Sequence, residues 1–168
     1  MTIRHTVVSS PLDDLTLVAD GDALVGLYFR HHWYRPATVG IRVDVGRDDL
    51  FAETRTQLGD YFTGARTHFD LPTDLRGDAG QRRVWQRLAT IPYGETVSYG
   101  DIAGELVDGS TARAVGAAVG RNPISIVVPC HRVVGKGGSL TGYAGGLRRK
   151  RYLLDLEEPA AARAGRLF

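Results

Sequence analysis

Cys130 is the single cysteine among 168 residues, and it lies in Ile126-Val127-Val128-Pro129-Cys130-His131-Arg132-Val133-Val134. One thiol cannot close an internal disulfide or build a thiolate metal cluster alone. Two readings are open for it. A lone cysteine behaves as a small buried hydrophobe, whereas cationic neighbours such as His131 and Arg132 lower a thiol's pKa and favour the nucleophilic thiolate. Nucleophilic work also requires a base, and a group that orients the base. His131 is the nearest imidazole, and Asp155 or Glu157 is the acid that completes a nucleophile–base–acid set. On a regular strand, adjacent side chains point to opposite faces. His131 therefore reaches Cys130 only if the backbone leaves the strand at Pro129, or through a bridging water. The competing reading is a buried, hydrogen-bonded histidine with no chemical task. His31, His32 and His68 lack cysteine partners, so no metal is expected. Neither Gly135-Lys136-Gly137-Gly138 nor Gly145-Gly146 has phosphate-loop spacing, and no cofactor is expected.

These residues need elements to position them. Around the cysteine, the β-branched run Ile124 to Val128 reads as a strand leading into Pro129. Leu147 to Glu157 reads as a helix with a basic first half, Arg148-Arg149-Lys150-Arg151. Upstream, Ala79 to Thr90 has helical spacing, stopped by Pro92-Tyr93-Gly94. Ser98-Tyr99-Gly100-Asp101 matches a capping box that opens a helix to about Val107. After Asp108-Gly109-Ser110, Ser110 or Thr111 caps a second helix, Ala112 to Gly120, made of small residues including Ala114 and Gly116. Helix, short glycine-bearing turn, helix is the helix-turn-helix shape, whose second helix meets DNA. Close packing inside a core explains the same small residues equally well.

The front half reads as an antiparallel meander, Thr6 to Ser9, Leu15 to Ala19 and Leu24 to Phe29. An irregular loop at His31 to Pro36, a helix over Asp48 to Phe62 and a last edge strand at His68 to Leu71 follow. Pro72 to Gly80 reads as a linker, which divides the chain into residues 1–77, residues 78–158 and a tail over 159–168. The charge changes sign at this linker. Residues 1–79 hold 8 Arg against 12 Asp and Glu, net −4, and residues 80–152 hold 11 Lys and Arg against 4 Asp and Glu, net +7. A basic back half suits an anionic partner. Apolar residues at 43% and charged residues at 24% are ordinary for a globular protein. No apolar stretch is long enough to span a membrane. Met1 to His5 lacks a signal-peptide core, and with one thiol a reducing cytoplasm is the expected location.

Pro129-Cys130-His131-Arg132-Val133 resembles the PCHRV signature of the O6-alkylguanine-DNA alkyltransferases. Ile91-Pro92-Tyr93-Gly94-Glu95-Thr96-Val97-Ser98-Tyr99, Ala112-Arg113-Ala114-Val115-Gly116, Asn122-Pro123 and Gly142-Tyr143 with Gly145-Gly146-Leu147 are similar to the same family in the same order. The resemblance is specific over about residues 77–157, and residues 1–76 resemble the family's variable front domain. It implies an α+β fold: an RNase H-like antiparallel sheet with a helix, then a mostly helical, winged-helix-like domain with a helix-turn-helix. It implies direct-reversal repair of duplex DNA, in which Cys130 takes the alkyl group of O6-alkylguanine once and irreversibly. O4-alkylthymine is a further substrate left open. A monomer is expected, with cooperative binding along DNA left open. By resemblance, His131 takes the thiol proton through a water, Glu157 holds the imidazole and Asn122 braces the active-site turn. Arg113 fills the space left by a flipped base, Ala114 and Gly116 belong to the DNA-facing helix, and Tyr99 supports nucleotide rotation. Val133 and the Cys130 carbonyl accept from the guanine amine, while Pro129, Gly142, Tyr143 and Ala144 shape the pocket. Ala144 stands where the family usually has serine. The alternatives are a non-catalytic lesion-binding protein of the same fold, a DNA-binding regulator and a thiol hydrolase; the first lacks an acceptor cysteine.

Overall fold

The computed structural model describes residues 3–106 and 109–159. Three strands form the expected meander: β1 (Ile3–Val8), β2 (Leu15–Asp20) and β3 (Ala23–Tyr28), with Val8 opposite Leu15 and Asp20 opposite Ala23. The short β4 (Ile41–Arg42) adds to β1 in parallel, giving the order β3-β2-β1-β4. Every residue of β2 is buried, so both sheet faces are covered. Helix α1 (Asp49–Phe62) starts at Asp48, whose carboxylate accepts the Phe51 N–H, and it buries Phe51, Thr54, Leu58 and Tyr61.

The expected edge strand at His68 to Leu71 is absent. The Gln57 side chain of α1 takes up its backbone instead, accepting from Asp70 N–H at 2.8 Å and donating to Asp70 carbonyl at 3.0 Å. Backbone groups satisfied by a side chain have no need of a neighbouring strand. Pairing with β3 falls a few residues later, where Leu24 donates to Pro72 and accepts from Asp74.

The second half opens with α2 (Ala79–Leu88), and here the reciprocal capping box is formed, between Asp78 and Gln81. Ser98 caps α3 (Tyr99–Glu105) by accepting from Asp101 N–H, and Thr111 caps α4 (Ala112–Gly120) by accepting from Ala114 N–H. Val107 and Asp108, the expected helix end and part of the connection, lie outside the described residues, as does the tail from residue 160. Trp85 of α2 donates its indole N–H to Ala118 carbonyl at 2.8 Å and locks α2 to α4. A short parallel pair, β5 (Val97–Ser98) with β6 (Val133–Val134), ties the start of α3 to the segment after Cys130. Helix α5 (Leu147–Glu157) is the last described element, as expected from its spacing. One continuous core runs from Leu17 and Phe51 through Trp85 to Val128 and Leu153. Among the described residues no helix is long and apolar enough to cross a membrane.

Candidate active site

The segment before Cys130 is not the expected strand. Only Ile124 makes a ladder bridge, to Leu27 of β3, and the chain then turns: Val127 N–H bonds to Ser125 carbonyl and Val128 N–H to Ile124 carbonyl. Ile126 adopts a positive φ of 71°, which a β-branched residue rarely takes. The cause is Asn122. Its side chain is buried, accepts Ile124 N–H at 3.0 Å and donates to Val128 carbonyl at 2.8 Å, which folds the β-branched run over itself. Pro129 leads out of this turn into a 3-10 turn at Cys130–Arg132, so the alternation that would separate Cys130 from His131 does not apply.

Cys130, His131 and Arg132 are all buried. His131 Nε2 lies 2.7 Å from Glu157 Oε2 on α5. The Arg132 guanidinium donates twice to the same carboxylate, at 2.7 and 3.0 Å, and once to Ile91 carbonyl. The Tyr61 hydroxyl of α1 donates to Glu157 at 2.5 Å. Burial works against the Glu157 charge, but His131 and Arg132 outweigh it and hold the carboxyl down at about 2. An ionised carboxylate only accepts, so the imidazole carries its proton on Nε2 and leaves a lone pair on Nδ1. That Nδ1 is buried and has no protein partner. Burial also lowers the His131 pKa, against the pull of Glu157, so the ring is neutral at neutral pH.

The flanking cations do not act as the sequence suggests. Arg132 is spent on Glu157 and Ile91, and Cys130 is pushed up by burial. Asn122, Lys150, Tyr143 and Ser125 oppose that rise from around the sulfur. Lys150, which the sequence places in a basic run on the helix surface, is fully buried. Its Nζ donates to Thr141 carbonyl at 3.0 Å and reaches the Tyr99 hydroxyl and Gly142 carbonyl at 3.4 Å. Burial lowers its pKa to about 8, opposed by Cys130. Sequence reasoning missed Lys150 and Tyr61 as site residues, and set Arg132 beside the thiol when it binds Glu157. The signal for the first was available in the i, i+3, i+7 stripe Lys150, Leu153, Glu157, which is the buried face of α5.

In front of the sulfur lies a cleft of about 740 Å³, walled by Trp33, Tyr99, Arg113, Gly116, Tyr143 and Ala144 among others. Gly142 is also on this wall. Arg113 is exposed on the first turn of α4, and an added Cβ at Gly116 would meet the Tyr99 ring at 3.7 Å. Cys130 lies behind Tyr143, whose hydroxyl adjoins the thiol. Val133 is fully buried beside Val97, and its N–H bonds to the Cys130 carbonyl. Two expected site residues fall elsewhere: Ala114 faces a separate hollow with Gln81 and Val84, and Pro129 lines one with His68 and Ile91. Of the basic run on α5, Arg148 and Arg151 are exposed, while Arg149 is partly buried and paired with Asp13.

Comparison with known proteins agrees with this architecture over nearly the whole described chain. Residues 3–75 match the 6-O-methylguanine DNA methyltransferase ribonuclease-like domain, and residues 79–159 match the DNA binding domain of the same family. The methylated-DNA–protein-cysteine methyltransferase of Mycobacterium tuberculosis H37Rv is 48% identical over 159 residues, covering 95% of this chain and 94% of its own. The inducible one of Bacillus subtilis 168 is 41% identical over 155 residues, covering 92% and 85%. The crystal structure of Mycobacterium tuberculosis OGT in complex with DNA superposes with a TM-score of 0.83 at 46% identity, covering 95% of this chain and 97% of that one. With both of the family's domains matched in order and a relative 48% identical over 95% of this chain, the chain belongs to the 6-O-methylguanine DNA methyltransferase family.

Proposed function

We propose that this chain repairs duplex DNA by taking the alkyl group of O6-alkylguanine onto Cys130, once per molecule. The observation that carries the proposal is a buried thiol beside a neutral imidazole fixed by Glu157, set behind a cleft whose lip is the second helix of a helix-turn-helix. The target carbon lies inside a duplex, so the nucleotide must leave the stack, at a cost of a few kcal/mol. Arg113 fills the gap, and Tyr99 and Gly116 make the wall along which the nucleotide turns. The guanine amine is held by the carbonyls of Cys130 and Val133, and its oxygen by the Ala144 N–H.

The thiol is protonated at rest, because burial raises its pKa. His131 Nδ1 takes its proton through a bridging water, and the thiolate attacks the alkyl carbon. A C–S bond forms, the C–O6 bond breaks, and its electron pair leaves with guanine. Guanine takes up one proton, equal to the one the thiol gave, so the step balances with no further reagent. The product thioether has no good leaving group, and the thiol is not regenerated.

Intact mass after mixing with a duplex containing O6-methylguanine tests this. The expected result is one methyl per chain, located on Cys130, with no second equivalent. Cys130→Ser is expected to bind the duplex and transfer nothing. Repeated turnover, or a methyl elsewhere, contradicts the proposal. The presence of the thiol disfavours a purely lesion-binding role. A duplex with O4-alkylthymine in the same assay settles the second substrate. One chain carries every group used above, so a monomer suffices, and sedimentation on DNA of increasing length reads cooperativity. Residues 1–77 are the supporting domain in this reading, and 78–158 the part that binds DNA and reacts.

A further inference from the structure

The loop from His31 to Pro36 belongs to the front domain, yet it reaches the cleft. His32 packs its ring edge-on to Tyr28 and stacks on Phe29, with centroids 5.3 and 5.8 Å away. Arg35 donates to Phe29 carbonyl and to the Thr16 hydroxyl. The Tyr34 ring lies under the Arg121 guanidinium at 3.8 Å, at the end of α4. The loop is thus held at several points. Between them stands Trp33, tied by its backbone N–H to Ala144 carbonyl at 2.9 Å. The residue remains 56% exposed on the cleft wall, and a Cβ added at Gly142 would meet its indole at 3.9 Å. An exposed aromatic that lines a cleft, on a loop held at several points, is available to a ligand in that cleft.

We infer that Trp33 is a specificity-determining residue that stacks on the O6 substituent and favours bulky aromatic groups over methyl. The inference rests on the transfer reading above. The transferred carbon must meet the sulfur behind Tyr143 and Ala144. Whatever extends beyond that carbon runs along Gly142, where the wall is bare, toward the indole. In this arrangement a methyl group is too short to reach Trp33, and a benzyl ring is long enough to meet it only if it runs along the cleft wall that Gly142 and Trp33 share.

The test compares single-turnover transfer from two duplexes of identical sequence, one with O6-methylguanine and one with O6-benzylguanine. Identical DNA cancels every backbone contact. Trp33→Ala is expected to lower the benzyl rate by about three- to tenfold, the worth of one aromatic pair, and to leave the methyl rate within about twofold. Trp33→Phe is expected to restore most of the benzyl rate, which a merely structural loss would not do. The fold should survive, because the bond to Ala144 uses the backbone and the indole is exposed. Equal losses on both duplexes, no change in their ratio, or a ratio that shifts toward benzyl in Trp33→Ala overturns the inference. A wild-type protein that labels from methyl but not from benzyl overturns it too, with the transfer reading intact. Labelling from neither defeats the transfer reading itself.

Discussion

At the residue scale, the proposed proton transfer depends on which nitrogen of His131 is free. Glu157 fixes the proton on Nε2, and the lowered pKa keeps Nδ1 available as a base. The rate of alkyl transfer is therefore expected to hold as pH falls to the ordinary imidazole value of 6.5 and to drop only below it, as Nδ1 takes a proton. Single-turnover rates from pH 5 to 8, a range framing the imidazole value, check this; a midpoint above 6.5 contradicts it. Glu157 has a second consequence. Its pKa falls from 4.5 to about 2 on folding, so the unfolded chain binds more protons between those values. It contributes about 3 kcal/mol of stability, fully present above 4.5 and lost as pH falls through about 2. His131, also depressed, acts in the same direction from 6.5 downward. Glu157→Gln is expected to cost about 3–5 kcal/mol at neutral pH, because Arg132 is left buried without its counter-charge, and to flatten the acid limb of a melting-temperature profile. Residue type and order singled out Cys130 and His131 but left the acid open between Asp155 and Glu157; only the family resemblance chose Glu157, which the structure sets 2.7 Å from His131. Lys150 sits among four consecutive basic residues, and only its i, i+3, i+7 spacing with Leu153 and Glu157 marks it as the one that turns inward.

At the element scale, helices were easier to read than strands. The α1, α4 and α5 spans follow from periodicity and capping residues, since a helix is specified by its own sequence. Both misread strands failed because a side chain outside the apolar run satisfies the backbone that a ladder would have used: Gln57, thirteen residues away from Asp70, in one case, and Asn122, two residues before Ile124, in the other. Propensity in Ile124 to Val128 reports β-branching, and the turn is imposed from outside it. The strain at Ile126 shows what Asn122 holds in place. Asn122→Ala leaves Ile124 N–H and Val128 carbonyl buried without those partners, at about 2–4 kcal/mol for two lost bonds. Denaturant titration should show that loss. Transfer should fall by more than the folded fraction does, since the Cys130 turn is released. Asn122→Asp keeps the acceptor and loses the donor, and should fall between the two.

At the scale of the whole molecule, the linker that the charge reversal marks does not separate two independent bodies. Leu27 of β3 exchanges backbone hydrogen bonds with Pro123 and Ser125, and Tyr61 of α1 donates to Glu157 on α5. One core continues through both halves. Unfolding is accordingly expected to be a single cooperative transition, with calorimetric and van't Hoff enthalpies equal. Tyr61→Phe should lower stability by about 1.5–3 kcal/mol, the worth of a hydrogen bond to a charged group. It should do so without splitting that transition; two separate melts would contradict the shared core. None of this was visible in the sequence, because contacts between positions 61 and 157 leave no local trace. The Asn122 clamp has a kinetic meaning at this scale. The Asn122 backbone N–H bonds to Val119 carbonyl near the end of α4, while its side chain fixes the turn that presents the sulfur. On the proposed reading, the helix that meets DNA and the atom that reacts are therefore coupled through one residue, and no separate closing motion is expected between landing and attack. A lesion survives an encounter only for as long as its nucleotide stays stacked, and the time course of repair should be a single exponential with no lag.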